Sequence, residues 1–270
     1  MQYEPVKNIL GKIFSRSTVL RRAFYFLVDL LLLRTWHVRK KLNKIAADFP
    51  GRAVILDAGC GLGQYSWRMS RMNRNWEIRG ADINEGQIEE CREFFGKMGL
   101  GDRTDFRVLD LTALDETSIY DLILSVDVME HIGDDARVFG NFFNALKKGG
   151  YLLISTPSDM GGSDVHGEDE HSFIDEHVRD GYGMDDIRGK LQDAGFSDIE
   201  IKYTYGKPGS ISWRLSMKYP IMMLNASYLF FIILPFYYII FFPVSVILNI
   251  FDVNMIHRTG TGLLVTARKK

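Results

Sequence analysis

The feature that most constrains the fold of this chain is an apolar run that leads into a loop with a glycine at every second position. The segment VILDAGCGLGQYS covers residues 54–66, and its glycines are Gly59, Gly61 and Gly63. A buried strand that ends in such a loop and continues as a helix predicts a ligand site, because unpaired backbone N–H groups of the loop and helix start can approach the ligand closely.

The rest of the chain repeats this alternation of strand and helix. Apolar runs predict seven strands, at 53–57, 76–81, 105–109, 121–126, 150–155, 197–205 and 261–269. Helical patterns lie between the strands, at 63–72, 84–97, 134–147 and 184–196, and the segment Lys148-Gly149-Gly150 predicts a helix stop before the fifth strand. Strands that alternate with helices of about ten to fifteen residues indicate an α/β fold with a doubly wound, mostly parallel sheet.

Charge is distributed unevenly along the 270 residues. Residues 1–50 hold ten Lys and Arg against three acids, a net of +7, in a chain whose formal net charge is −1. A basic end on a nearly neutral protein indicates an anionic partner. The basic residues alternate with Leu and Phe, which favours an anionic membrane surface over nucleic acid. Two cysteines, Cys60 and Cys91, form no disulfide framework and indicate a reducing compartment.

The spacing of the glycine loop separates two classes of ligand. A dinucleotide fingerprint has its third glycine five residues after the first, whereas Gly63 follows Gly59 by four. Asp57 lies two residues before Gly59. Its carboxylate would repel a pyrophosphate and attract a cationic amino acid group, so the loop predicts a ligand of the second kind.

The segment LDAGCGLG resembles the first motif of class I S-adenosylmethionine-dependent methyltransferases, and later motifs follow in order between about Arg39 and Phe196. The resemblance implies a Rossmann-like seven-stranded sheet with an antiparallel last strand, and S-adenosyl-L-methionine as cofactor. It implies that Asp82 in RGADIN holds the ribose hydroxyls and Ile83 packs on the adenine. The other implied cofactor-binding residues are Asp57, Gly59, Gly61, Gly63, Asp110, Leu111 and Ser125. Asp82 as a helix cap and Asp110 as a turn residue remain the alternatives.

The exit of the predicted fourth strand carries Asp127, Glu130 and His131. His131 is the candidate general base for an acceptor hydroxyl. The same spacing is similar to that of ubiquinone-type O-methyltransferases, where an acid-x-x-Glu-His segment can assemble a divalent cation. For this segment the sequence favours a structural role in shaping the site over a general-base role, and a general-base role over metal binding. We therefore expect no metal.

A long acidic segment at 157–183 follows the fifth strand and is a candidate lid over the acceptor, because loops of this length are usually functional. The resemblance adds His177, Arg179 and Tyr182 to the candidate acceptor site, beside Asp127 and Glu130.

Residues 219–251 contain no charge and are long enough to suggest a transmembrane helix. A single crossing would separate the sixth and seventh strands, which pair in the resembled fold, and two crossings need about forty apolar residues. We therefore expect an apolar helical hairpin that enters and leaves the membrane on one side without crossing it, with arms of roughly fifteen residues and breaks at Pro235 and Pro243.

The N-terminal segment agrees with this expectation. Eleven apolar residues with one acid, at 23–33, lie between clusters of Lys and Arg and predict a helix in the membrane interface. The expected organisation is an N-terminal helical region at 1–47, a methyltransferase domain at 48–218 and 253–270, and an apolar insertion at 219–252.

We expect methyl transfer to a lipophilic, membrane-derived small molecule at the cytoplasmic face of a membrane, with peripheral or monotopic attachment and no nucleic-acid partner. O-methylation is favoured over C- or N-methylation because His131 offers a base. Two alternatives stay open: a soluble methyltransferase whose apolar insertion forms a dimer face or lid, and a non-catalytic membrane adaptor. The sequence leaves the acceptor and the oligomeric state open.

Overall fold

The computed structural model describes residues 17–160, 178–227 and 229–270. Seven strands form one sheet in the order β3-β2-β1-β4-β5-β7-β6, in which β7 runs antiparallel to both neighbours and the other pairs are parallel. The strands are β1 (Ala53–Ala58), β2 (Trp76–Asp82), β3 (Thr104–Val108), β4 (Tyr120–Val126), β5 (Leu146–Pro157), β6 (Ser197–Thr204) and β7 (Gly262–Arg268). The predicted fold class is confirmed.

Helices cover both faces of the sheet. They are α1 (Thr18–Leu31), α2 (Leu33–Ala46), α3 (Gln64–Met72), α4 (Glu85–Lys97), α5 (Asp135–Ala145), α6 (Met184–Asp193), α7 (Lys207–Trp213), α8 (Tyr219–Ala226) and α9 (Phe230–Asn254). Leu42 of α2 and Met69 of α3 pack with Ile55 on one face, and Phe142 of α5 and Leu191 of α6 pack with Leu56 on the other. Helix α2 is therefore part of the core of the domain, although its residues lie in the N-terminal region set apart in the sequence prediction.

The boundary between α5 and β5 differs from its prediction. The helix ends at Ala145 and the strand begins at Leu146, before the glycine pair that was expected to separate them. Gly149 has a φ of +80°, and the pairing of β4 with β5 shifts between Tyr120 and Leu122. A glycine in the left-handed region allows a bulge, so the strand continues through the segment that looked like a helix stop.

The segment between β6 and β7 is a helical hairpin. Its first arm runs from Lys207 through α7, one π-helical turn at Arg214–Lys218 and α8, and its second arm is α9. Helix α9 contacts α7, the π-turn and α8, so the two arms lie side by side. The chain returns to the sheet that it left, as the pairing of β6 with β7 requires.

The prediction that Pro235 and Pro243 break this hairpin is wrong, because both lie inside the continuous helix α9. Each proline removes one N–H donor, and packing against the first arm keeps the flanking turns helical. The chain reverses between the end of α8 and the start of α9 instead. Among the described residues, α9 is the one helix long and apolar enough to cross a membrane, with a mean hydropathy of 2.4 over its most apolar 18 residues, 11% of which are buried.

A buried carboxylate joins the base of the hairpin to the domain. Asp252 accepts hydrogen bonds from the Gly209 N–H at 2.9 Å and the Tyr205 N–H at 3.2 Å, and its Oδ1 lies 2.7 Å from Nε2 of His37 on α2. Burial would raise the pKa of Asp252, but the hydrogen bond and charge of His37, together with His257, hold it below its usual value. The hairpin, β6 and α2 are thereby fixed to one another.

Candidate functional site

The glycine loop lies at the carboxyl end of β1, at the edge of the sheet where the parallel strands β2, β3, β4 and β5 also end. Gly59 has a φ of +78° and donates its N–H to the Ala81 carbonyl of β2 at 2.8 Å. A Cβ atom on Gly59 would lie 2.2 Å from a Val128 methyl carbon. Only glycine allows this close approach of the loop to the exit of β4.

Asp57 ends β1 beneath the loop and is fully enclosed. Its Oδ2 accepts a hydrogen bond from the Ser66 hydroxyl at 2.6 Å. Burial raises the pKa of Asp57 to about 6, and the hydrogen bonds with Ser66 oppose this rise only in part. A buried carboxylate without a cation nearby is suited to a cationic ligand group, because such a group would restore its charged form.

Asp82 and Ile83 follow β2 at the same edge. Asp82 accepts the Gly61 N–H at 2.8 Å and the Asn84 N–H at 2.9 Å, one on each carboxylate oxygen. Each oxygen keeps a further lone pair for a ligand hydroxyl. The helix-cap position belongs to Asn84, whose side chain accepts the Gln87 N–H at 3.0 Å. Ile83 is 74% exposed, so it can cover the flat face of a ring.

Three further predicted cofactor residues are Asp110, which is exposed, and Leu111 and Ser125, which are buried. Asp110 accepts the backbone N–H and the hydroxyl of Thr112, both at 2.8 Å, and so forms the turn that was its alternative role. The Leu111 side chain packs in the core. The Ser125 hydroxyl is buried and has no hydrogen-bond partner among the described residues, which marks it as a group that a ligand or water would satisfy.

The exit of β4 carries the candidate acceptor residues Asp127, Glu130 and His131. Glu130 is buried, accepts the Thr156 hydroxyl at 3.0 Å and has its pKa raised by burial. His131 is exposed at the end of a short 3₁₀ turn. The structure therefore separates the two: Glu130 shapes the interior of the site, and His131 is accessible to an acceptor.

Asp127 forms an ion pair with Arg34 of α2. The backbone N–H of Arg34 donates to the Tyr205 hydroxyl at 3.0 Å. Asp127 and Tyr205 have φ values of +53° and +55°, and both lie just beyond the carboxyl ends of their strands. Strained backbone of this kind clusters at functional sites. Arg34 was not among the predicted site residues, since its sequence context resembles a membrane border.

Arg179 and Tyr182 contact the segment that follows β4, where the Tyr182 hydroxyl donates to the Met129 carbonyl at 3.1 Å and Arg179 donates to the Ile132 carbonyl at 2.9 Å. Both contact Asp135 at the start of α5: Arg179 through an ion pair and Tyr182 through a hydroxyl–carboxylate contact of 2.7 Å. Burial would raise the pKa of Asp135, but Lys190, Tyr182 and Arg179 hold it below its usual value. These contacts anchor the start of α5. His177 lies outside the described residues.

Helix α1 contributes residues that the sequence did not identify as part of the site. Arg21 donates to the Leu62 carbonyl in the glycine loop at 2.7 Å and to the Glu90 carbonyl of α4 at 2.9 Å. The Tyr25 hydroxyl also donates to the Leu62 carbonyl. Arg21 and Tyr25 are four residues apart, one helical turn, and both are buried in a helix of otherwise apolar character. The spacing of these two polar residues by one helical turn is the sequence signal that could have identified them.

Within residues 17–160, 178–227 and 229–270, no group of three or more His, Cys, Asp or Glu side chains is arranged to hold a metal ion. The residues that meet at the carboxyl edge are acceptors for a cationic or hydroxylated ligand, with one accessible imidazole beside them.

Comparison with known proteins agrees with this site. A family model described as a methyltransferase domain matches residues 51–191, just over half of the chain. Phosphoethanolamine N-methyltransferase 1 of Triticum aestivum is 32% identical over 156 residues, which cover 56% of this chain and 30% of that protein. Ubiquinone biosynthesis O-methyltransferase of Dinoroseobacter shibae is 29% identical over 170 residues, covering 60% and 67% respectively.

The fold is also similar to solved structures. Phosphoethanolamine N-methyltransferase 2 of Haemonchus contortus, in complex with phosphomonomethylethanolamine and S-adenosylhomocysteine, has a TM-score of 0.59 at 19% identity, covering 84% of this chain and 52% of that one. At such identity the similarity concerns the fold alone. The chain spans less than half the length of the first curated relatives that it matches.

Proposed function

Since this chain belongs to the class I S-adenosylmethionine-dependent methyltransferases, we propose that it methylates a lipophilic acceptor drawn from a membrane. The observation that carries the proposal is the position of the apolar hairpin. Strand β6 is parallel to β1, so the hairpin that follows β6 leaves the sheet at the edge that also carries the glycine loop. An acceptor that leaves a bilayer along the hairpin would arrive beside the cofactor.

The residues at this edge fit S-adenosylmethionine. We propose that Asp57 pairs with the ammonium group, that Asp82 accepts the ribose hydroxyls and that Ile83 covers the adenine. The partnerless Ser125 hydroxyl and the cradle around Gly59, which a side chain would fill, support this assignment. The cofactor supplies an electrophilic methyl group, and the chain's own residues hold it in line with the acceptor and exclude water.

His131 is the proposed general base. Methylation of a hydroxyl requires that its proton be removed, and an exposed imidazole at the exit of β4 is suited to accept it. Methylation of an amine needs only the neutral amine. O-methylation is the favoured chemistry for this reason, and the relatives include both O- and N-methyltransferases by name.

The outer surface of the hairpin is apolar. Ile232 and Ile239 on α9 are 69% and 72% exposed, and no charged residue lies between Lys218 and Asp252. Continuous apolar surface of this kind on a soluble domain marks an interaction site. A bilayer is the favoured partner because the Ser245 and Asn249 side chains of α9 are buried, while the exposed side chains between Phe231 and Phe251 are all apolar.

Contacts between the arms supply donors that the backbone lacks. Pro220 has no N–H, which leaves the Ser216 carbonyl without its usual partner four residues later, and the Tyr238 hydroxyl donates to that carbonyl at 2.8 Å. The Tyr237 hydroxyl donates to the Leu215 carbonyl at 2.8 Å. Backbone acceptors must be satisfied inside a bilayer, and these two tyrosines satisfy them from within the hairpin.

The first arm limits the depth of insertion. Lys218 lies about ten residues before the point where the chain reverses between α8 and α9, which corresponds to about 15 Å of helix. The hydrocarbon core of a bilayer is about 30 Å thick. With the Lys218 ammonium group at the headgroups, the tip reaches about the middle of the bilayer, and the longer α9 lies obliquely. We therefore propose monotopic attachment on one side.

Vesicle flotation combined with methyl transfer tests the proposal. The full chain and the variant I232E/I239E are mixed with vesicles made from a total lipid extract and methyl-labelled cofactor. The control N75E/Q192E adds the same two charges at exposed positions away from the hairpin. We expect the wild type and the control to float and to label lipid, and the hairpin variant to lose both while it still binds cofactor. A wild-type chain that remains in the soluble fraction would contradict the membrane role. If that soluble chain forms a dimer, the alternative in which the apolar hairpin is a dimer face would be favoured.

A further inference from the structure

Helix α1 has two faces of opposite character. Its inner face carries the polar residues Arg21, Tyr25 and Asp29, which all contact other parts of the domain. Its outer face is apolar and solvent-exposed, with Val19 69% and Phe26 64% exposed. The exposed residues lie at helical spacing on one side, and they are Val19, Leu20, Arg22, Ala23, Phe26 and Leu27.

The inner face holds the glycine loop in place. The Leu62 carbonyl, between Gly61 and Gly63, accepts hydrogen bonds from both Arg21 and Tyr25. Asp29 accepts from the Gln64 side chain at 2.7 Å and forms an ion pair with Arg68, so α3 is held as well. A loop with three positive-φ glycines is flexible by composition. Its conformation therefore depends on the docking of α1.

The outer face is suited to an anionic lipid surface. Apart from Arg21 and Asp29 of the inner face, α1 and α2 contain six Lys and Arg and no acid. The surface is continuous with the base of the hairpin, because Lys40 of α2 donates to the Asn254 side chain at 2.8 Å and His37 contacts Asp252. An amphipathic helix with basic flanks lies in the interface of such a membrane.

We propose that α1 couples binding to a lipid surface with binding of the cofactor, and that Arg21 is the positioning residue that transmits the coupling. The inference rests on the proposed membrane function and concerns the regulation of the same site. A helix of fourteen residues is marginal by itself in water. A lipid surface that receives the outer face preforms the helix beside the loop, so less ordering remains when the cofactor binds.

The coupling is reciprocal by thermodynamic necessity: if vesicles tighten cofactor binding by a given factor, the cofactor tightens vesicle binding by the same factor. We expect at least a fivefold lower Kd for S-adenosylmethionine on vesicles, the lower end of common coupling between two sites.

The test measures the Kd of S-adenosylmethionine by calorimetry, with and without phosphatidylcholine–phosphatidylglycerol vesicles at a concentration that binds all of the full-length chain. Flotation is measured on the same samples. We compare the wild type with F26E, R21M and the charge-matched control Q192E. F26E is expected to keep the wild-type Kd in solution and to float through its hairpin, but to lose the gain on vesicles. R21M is expected to bind cofactor more weakly in both conditions and to show no gain.

A purely structural role of Arg21 would lower the thermal stability of R21M but leave the vesicle gain intact, and this result would overturn the inference. A wild type that floats with an unchanged Kd, or an F26E variant that retains the full gain, would also overturn the inference and leave the proposed function standing. A wild type that does not float would overturn both.

Discussion

The buried carboxylate of Asp57 makes cofactor binding dependent on pH in a range that is easily measured. Burial raises its pKa to about 6, so about nine-tenths of the apo protein is protonated at Asp57 at pH 5 and about one-tenth at pH 7. If the ammonium group of the cofactor binds the ionised form, the Kd should be about tenfold higher at pH 5 than at pH 7.

Calorimetry between pH 5 and pH 7 on the wild type, D57N and the exposed-site control D105N measures this dependence. D105N should follow the wild type. D57N should bind more weakly at pH 7 and lose the tenfold change. A wild-type Kd that stays constant over this range, or a D57N variant with the wild-type slope, would refute the assignment of Asp57 to the cofactor.

The same shift predicts the pH dependence of stability without cofactor. Between the ordinary pKa of 3.8 and about 6, the native state binds more protons at Asp57 than the unfolded state, so the contribution of this group falls as the pH rises. About two pKa units correspond to about 3 kcal/mol. Part of this contribution is already lost at pH 4, so the free energy of unfolding of D57N, measured with urea, should gain about 2 kcal/mol relative to the wild type between pH 4 and pH 7.

Three further substitutions test other parts of the site. D82A should weaken cofactor binding at least tenfold by calorimetry, because the ribose hydroxyls and the Gly61 N–H lose their acceptor; an unchanged Kd would reject this position as the ribose site. H131A should slow methylation of a hydroxyl acceptor about 100-fold without altering cofactor affinity, and an unaltered rate would remove His131 as the base. D252N should lower the free energy of unfolding at pH 7 by about 2 kcal/mol, because an Asn side chain offers one acceptor oxygen in place of the two that accept the Tyr205 and Gly209 N–H groups; urea unfolding that matches the wild type would contradict this role.

The central sheet was predictable because its signals are local. The glycine spacing, the strand runs and the helix patterns depend on residues close together in sequence, and the predicted strands lie within a few residues of the observed ones. The return of the hairpin to the sheet was also predictable, since the pairing of β6 with β7 restricts the path of the chain between them.

The remaining features depend on contacts between distant residues. Helix α9 continues through Pro235 and Pro243 because it packs against the first arm. The low helix propensity of proline does not take such packing into account. Arg34 meets Asp127 and Tyr205 across 93 and 171 positions, and its role has no local signature. The apolar residues of α1 were evident in the sequence. The hydrogen bonds from Arg21 and Tyr25 to the Leu62 carbonyl were not, because they depend on where the glycine loop lies in space.

The destination of the transferred methyl group tests most directly whether this protein methylates a lipophilic acceptor from a membrane. A lysate that contains both lipids and water-soluble metabolites is incubated with the full chain and trideuteromethyl-labelled S-adenosylmethionine, extracted into organic and aqueous phases, and analysed by mass spectrometry against the I232E/I239E variant. We expect a labelled lipophilic product in the organic phase that the variant fails to make. Label confined to a water-soluble product, formed equally by both proteins, would contradict this expectation.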